Sequence, residues 1–427
     1  MIFVKGSSSL FGSFSGKILV LVAIFLMALN LRSAVAAASP VFVYIAQDMQ
    51  LSVSDMAIIG MLPPVLFAIC GALTPSIVRR ASLESVTVLA LAIQAFGLIV
   101  RTVSPSSVWL IVGSILIFAG IGMGNVLLPP LVKKNFSQNI ALMTTAYTTL
   151  IAVGTFAPAF LAVPIAAEAG WRASFAVWAA LGVVVLVPWV AIVIGAHRRM
   201  STLHNQGAGA PNDTARSGNP PVTGPVITGK MRHSPVAWAV TLVFTLSSMN
   251  AYSMFSWLPS ILTETAGVTT AEAGSLLGVF ALMGLPASLL VPWLANRLGS
   301  VSPLIYLFIG CGILGYAGLL LFPETLTWLW VVLAGIGPAL FPIALLLINR
   351  RTRSHHSAIA LSGFVQSVGY TLGTVGPLGI GFLHDLTGGW TVPIGVLTVL
   401  YLGAIWSAFV LRVPRPVEDD WAAGGRR

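Results

Sequence analysis

Runs of about twenty apolar residues recur along the whole chain, and no other feature restricts its folding as severely. A run of that length crosses a hydrocarbon core of about 30 Å as a helix. Lipid offers no partner to a free backbone N–H or C=O, so a helix is the conformation left to such a run. Of the 427 residues, 57% are hydrophobic and 8% charged, about a third of the charge density of an ordinary soluble domain. The chain reads as an all-α polytopic membrane protein. Cys70 and Cys311 both lie inside apolar runs and read as small packing residues rather than a disulfide.

Charged or Pro/Gly-rich breaks divide the sequence into twelve spans, near 18–42, 56–77, 86–103, 108–131, 140–166, 172–195, 235–260, 271–295, 302–322, 326–348, 357–382 and 390–411. With the N-terminus cytoplasmic, nineteen of the 22 lysines and arginines fall on the inner side and only Arg101 and Arg172 on the outer. That bias orients the chain in a cell inner membrane with both termini cytoplasmic. Topology and contact with anionic lipid account for the net charge of +10, and nucleic acid is not needed as a partner.

The opening segment also carries the charged, apolar and small-residue regions of a cleavable signal peptide: Lys5 and Lys17, then ILVLVAIFLMAL, then AVAAA. An internal repeat argues against cleavage. Pro75 and Arg80 recur as Pro292 and Arg297, and Ser137 and Ala141 as Ser354 and Ala358, all at a shift of 217 residues. Gly170-Trp171 recurs two residues further on, as Gly389-Trp390. The shift lays the first apolar run on the seventh, so the first is needed to complete a six-helix half, and the two halves run parallel. The expected organisation is a first half over 1–196, a Gly/Pro/Asn/Ser/Thr-rich linker over 197–234, a second half over 235–413 and a cytoplasmic tail over 414–427.

Several stretches carry a resemblance that covers both halves: LNLR in the first span, GNVLLPPLVKKNF in the fourth, SWLP in the seventh, LANRLG after the eighth and LSGFVQSVGYTLGTVGPLGIGFLHDLTGGW through the eleventh and twelfth. The chain resembles the major facilitator superfamily and, within it, the cyanate and 2-nitroimidazole transporter family. The superfamily's usual acidic residue after the second helix is absent; Pro75 and Arg79-Arg80 stand in that region. The resemblance implies twelve helices in two six-helix halves, a central substrate site and secondary transport.

Arg32 is the residue that this frame makes conspicuous. It follows Lys17 by fifteen positions, about 22 Å of helix, and its guanidinium stays charged. An arginine at that depth costs about 3 kcal/mol on insertion scales and must face a partner or a watery cavity. All twelve Asp and Glu residues fall at span ends or in loops, so a structural ion pair lacks its anion. Two readings remain: satisfaction by carbonyls and water, or a substrate that supplies the missing anion. Ala28, Val35, Ala36 and Ser39 leave room beside the guanidinium.

Other polar residues form a candidate substrate shell. Ser362, Gln366, Tyr370 and Thr374 repeat at intervals of four, and Ser247, Asn250, Met254 and Trp257 share a face of the seventh span. The repeat sets Arg32 opposite Met249, one place from Asn250. The fourth span offers Asn125 behind Gly120 and Gly124, and the fifth offers Tyr147. Each of these alone also fits helix-to-helix packing. Asn30, about 200° around the helix from Arg32, reads as packing.

No catalytic constellation competes. The six histidines have no metal-ligand spacing, and neither a Walker nor a dinucleotide motif occurs, so no enzyme, cofactor or metal is expected. The expectation is a secondary transporter, read as a monomer, that moves a small anion such as cyanate by alternating access. A carrier or exporter of neutral nitroimidazole-type or drug-like compounds is the alternative, the latter on the weak motif GTFAP in the fifth span. A non-transporting receptor for the same anion is the rival of another class. With no buried carboxylate, proton coupling would have to use His384, Asp385 or a proton travelling with the anion.

Overall fold

The computed structural model describes residues 14–38, 41–49, 53–207 and 231–424, and among these every regular element is a helix. In chain order they are α1 (Phe14–Ala36), α2 (Phe42–Asp48), α3 (Val53–Val78), α4 (Leu83–Thr102), α5 (Ser107–Asn135) and α6 (Ile140–Gly207). After the undescribed residues 208–230 come α7 (Pro235–Thr265), α8 (Thr270–Leu282), α9 (Gly284–Arg297), α10 (Ser302–Leu321), α11 (Thr327–Ile336), α12 (Leu340–Arg350), α13 (His355–Thr387), α14 (Thr391–Leu411) and α15 (Val417–Gly424).

Ten helical runs are long and apolar enough to cross a membrane. One of them, Ser137–Ala196, has 60 residues, far more than the roughly 20 that a crossing needs. It is interrupted at Gly170, whose φ of 84° suits glycine and few other residues, so α6 supplies the fifth and sixth spans. The 31-residue α7, with buried Ser247, Ser248, Asn250 and Ser253 along it, supplies a twelfth.

Proline and glycine explain where the observed spans depart from the expected ones. The eighth is split into α8 and α9 at Met283–Gly284, just before Pro286, and the tenth is divided by a 3-10 turn, Gly337–Ala339, that contains Pro338. Proline removes a backbone donor and crowds the preceding turn. The first span ends at Ala36 rather than continuing to 42, and the short α2 follows. Helix starts are capped from the sequence: Ser82, Ser234 and Ser354 accept from the backbone N–H three residues on, and Thr269 and Glu272 form a reciprocal capping box.

Glycines set the helix spacing at two crossings. A Cβ on Gly154 would lie 2.0 Å from the Leu29 carbonyl, so α6 presses directly on α1. A Cβ on Gly71 would lie 2.6 Å from Ser367 N, and one on Gly363 would lie 2.3 Å from Pro75, so α3 and α13 cross backbone to backbone.

The expected linker begins in helix, since α6 runs to Gly207; its residues 208–230 and the chain ends at 1–13 and 425–427 lie outside the described residues. The expected tail contains α15, which is docked: Val417 N donates to Arg351 O (2.8 Å), Arg353 N to Glu418 Oε1 (2.8 Å), and the Ser234 hydroxyl to the Asp420 carboxylate. Burial beside Arg350 and Arg415 lowers the Arg351 guanidinium to about 10.

Candidate functional site

Arg32 lies on the last complete turn of α1, partly buried. Its Nη1 donates to Tyr252 Oη of α7 (3.5 Å) and its Nη2 to Tyr370 Oη of α13 (3.4 Å). Both partners come from the other half of the chain. Among the described residues no carboxylate pairs with Arg32.

The rest of the enclosure is aromatic. The guanidinium carbon stands 5.7 Å from the centre of the Phe67 ring and 5.8 Å from that of Phe341, within the range of a cation–π attraction. Tyr370 in turn packs edge-on against Phe67 (5.1 Å) and Phe244 (4.9 Å), and Tyr252 lies 6.4 Å from it. Four rings from α3, α7, α12 and α13 thus face one cation, and Phe244 packs behind Tyr370 and Phe341. Because both tyrosine oxygens accept from Arg32, their own O–H groups are left to donate elsewhere. The cluster therefore presents a planar cation and two hydroxyl donors together, a set suited to an acceptor-rich, flat ligand.

The residues expected from sequence are distributed as follows. Tyr370 is brought onto Arg32. Gln366 and Ser362, on the same stripe, turn to α5: Gln366 Nε2 donates to the Asn125 carbonyl and to Ser362 Oγ (both 2.9 Å), and Ser362 Oγ donates to the Val126 carbonyl (3.0 Å). Thr374 closes on its own helix through the Tyr370 carbonyl. Asn125 meets Gln366 through its backbone, and its side-chain nitrogen has no partner among the described residues. Tyr147 is fully buried with its hydroxyl likewise unpartnered.

Asn250 donates to Tyr316 Oη of α10 and lines a small cavity with Leu246, Leu397 and Tyr401. It therefore occupies the face of α7 turned away from Tyr252. Trp257 is half-buried and donates to the Pro377 carbonyl (2.8 Å), tying α7 to α13. Sequence reasoning missed Phe67, Phe244, Tyr252 and Phe341. A signal existed in α7, where Phe244, Ser248 and Tyr252 repeat every four residues on the face opposite the Asn250 stripe.

Below the cluster, toward the ends that carry the basic loops, the two halves are bolted together. Lys133 Nζ donates to the Asn349 carbonyl (2.6 Å) and to Thr352 Oγ1 (2.9 Å) and its carbonyl, so an ammonium caps the C-terminal end of α12. Thr148 and Thr149 of α6 meet Ser288 of α9 at 3.4 Å. At the opposite end two polar clusters, one around Asp48 and one around Glu264, each lie within a single half. Asp48 accepts from Arg172 and from Trp171 Nε1 (3.0 Å), and these bonds hold its carboxyl below the usual range. Glu264 accepts from Trp390 Nε1 (2.8 Å) and faces His384 Nε2 at 3.3 Å.

A sequence model described as the Major Facilitator Superfamily matches residues 20–374. An uncharacterized transporter, YycB, of Bacillus subtilis is 32% identical over 89% of this chain and 90% of its own length. A 2-nitroimidazole transporter of Escherichia coli is 31% identical over 91% and 95%. The cyanate transport protein CynX of Escherichia coli is 24% identical over 87% and 91%. Among solved structures, the proton:xylose symporter XylE bound to 6-bromo-6-deoxy-D-glucose superposes with a TM-score of 0.69 at 12% identity, over 96% of this chain and 99% of that one.

Proposed function

The chain belongs to the Major Facilitator Superfamily, a family of membrane transporters, and from that premise we propose that it moves a small, flat, cyanate-like anion across the cytoplasmic membrane by alternating access, with Arg32 as the group that binds the charge. The observation that carries the reading is the pairing of Arg32: a guanidinium inside the first membrane-spanning helix whose described partners are two phenol oxygens and no carboxylate. An arginine kept at such depth against neutral partners has its charge available for a ligand. Substrate binding exchanges part of the Arg32–tyrosine contact for a charge-assisted one and leaves the two hydroxyls to donate to the same ligand.

The distribution of cross-links supports an outward-facing arrangement with cytoplasmic basic loops. In this reading the halves, 1–196 and 235–413, are the moving bodies, 197–234 is the linker and both termini are cytoplasmic. Substrate enters from the outer side and bridges Arg32 to Tyr252 and Tyr370, and the links at Lys133, Gln366 and Ser288 open as the outer ends close. Tyr147 and Asn125, each buried with a side-chain polar atom unpartnered among the described residues, are proposed as outer members of the same shell, with Asn250 and Trp257 bracing α7. The ring enclosure also favours a second ligand type, a neutral nitro-substituted heteroaromatic. Its nitro group offers the guanidinium two acceptor oxygens and its ring stacks on Phe67 or Phe341.

Uptake of labelled cyanate, other small monoanions and 2-nitroimidazole into proteoliposomes tests the reading. Saturable flux of at least one, lost in Arg32→Ala, is the expected result. Stoichiometric binding without flux would instead make the protein a receptor, and flux retained by Arg32→Ala would remove the charge from the mechanism.

A further inference from the structure

A guanidinium can be aimed only as well as the helix that carries it. Three carbonyls of α1 accept hydrogen bonds from side chains of other helices: Ala23 O from Trp189 Nε1 of α6 (3.1 Å), Asn30 O from Gln94 Nε2 of α4 (3.2 Å) and Ala34 O from Arg101 Nη2 of α4 (3.0 Å). Each residue of an α-helix turns about 100°. Ala23 therefore stands about 180° from Arg32, and Asn30 and Ala34 each stand about 160° away, on either side. All three anchor points lie on the side of α1 opposite the charged side chain.

The donors are themselves fixed. Trp189, Gln94 and Arg101 are each no more than 1% exposed. Gln94 is wedged against Gly120, where a Cβ would lie 2.7 Å from its own Cβ. Arg101 lies 4.3 Å from the centre of the Phe175 ring and places its charge at the C-terminal end of α1, where the last carbonyls lack helical partners. Small-residue contact alone, such as Gly154 on Leu29, sets a distance between helices and leaves their rotation free. Hydrogen bonds to named carbonyls set the rotation.

We infer that Trp189, Gln94 and Arg101 are positioning residues that lock the rotation of α1 within the first half and so hold Arg32 pointed at Tyr252 and Tyr370 of the second. The transport role of this device rests on the function proposed above, whereas its geometry does not. It makes α1 move with α4 and α6 as one body, so that during the transport cycle the tyrosines pass a fixed arginine.

The test uses Arg32→Cys in a full-length chain with Cys70 and Cys311 replaced by alanine. A membrane-impermeant, cationic methanethiosulfonate applied from the outer side reports how far residue 32 faces the space between the halves. Trp189→Phe keeps an aromatic ring at the site and removes the indole N–H donor. It and Gln94→Met are each expected to slow labelling roughly threefold, the size of a typical hydrogen bond between membrane helices, and to slow it further together. Arg101→Lys, which keeps a donor and a charge, is expected to restore the rate that Arg101→Met loses. Unchanged labelling in Trp189→Phe, or equal rates for Arg101→Lys and Arg101→Met, overturns the inference. Uptake by the same variants with Arg32 intact separates the two ideas: slowed labelling with unaltered transport KM keeps the lock and discards Arg32 as the substrate contact, whereas a raised KM with unaltered maximal rate supports both.

Discussion

Arg32 and Tyr370 are 338 positions apart in the chain, yet guanidinium and phenol meet at 3.4 Å. The contact joins the first half to the second on the far side of the cross-links at Lys133 and Ser288 from the basic loops. Whatever binds Arg32 therefore also sets the distance between the halves, and the predictions below use that coupling.

Replacing the charge is the first of them. Arg32→Ala is expected to abolish anion uptake with folded protein retained, and to raise the melting temperature in detergent, because it removes a charge within a membrane-spanning helix that has no counter-charge among the described residues. Arg32→Lys is expected to recover little, since an ammonium cannot engage both phenols and a flat ligand in one plane. Loss of folded protein in both variants would assign Arg32 to architecture.

Tyr252→Phe and Tyr370→Phe remove one oxygen each and leave the ring packing in place. A hydrogen bond to a charged partner contributes about 1.5–3 kcal/mol, so each change is expected to raise KM by about tenfold or more. Purified yield should stay unaltered. Unchanged kinetics in the double variant would show that the phenols serve packing alone.

Lys133 bridges the halves at the basic end, and Lys133→Met is expected to loosen that closure. Ser367→Cys, beside Gly71 at the crossing of α3 and α13, provides the readout. Its modification from the inner side of inverted vesicles should accelerate about tenfold when Lys133 is replaced, the loss expected for a charge-assisted link. Equal rates in the two backgrounds would place the gate elsewhere.

The link that Asp48 makes at the end away from the basic loops has a pH signature. Its carboxyl is held below the ordinary range by Arg172 and Trp171, so its contribution is present above the unfolded value of about 4 and is lost as the pH falls through the lower folded value. Melting temperatures at descending pH should fall more steeply in the wild type than in Asp48→Asn. Parallel curves would remove Asp48 from the acid response.

Reporters in the segment near Gly207 and at the C-terminus should both prove cytoplasmic. A reporter at the C-terminus found outside would overturn the orientation and with it the direction of opening.

The twelve crossings were legible because hydropathy is a summed property that survives local irregularity, and Arg32 was legible because an unmatched charge in an apolar run has few explanations. Tyr252, Phe67, Phe244 and Phe341 were not. The chain has 21 phenylalanines and seven tyrosines, and which of them faces a given point depends on helix rotation, which a single sequence does not state. The Asn250 stripe illustrates this. Its periodicity is real, but it marks the face of α7 toward Tyr316, while the face toward Arg32 carries rings that look like ordinary membrane residues. Gln366 fell on the stripe of Tyr370 and yet reaches α5, because one turn along α13 the neighbouring helix changes.

The separation between Arg32 and its tyrosines also bears on how the protein is made. The first span leaves the ribosome 220 residues before Tyr252 and 338 before Tyr370, which at roughly 5–20 residues per second is a delay of about ten seconds to a minute. Throughout that interval the arginine sits in a growing chain whose enclosing rings from the second half do not yet exist. Trp189, the last of the three donors to α1, emerges well before Tyr252. The nascent first half can thus fix the bearing of its charge while still awaiting the residues that will receive it.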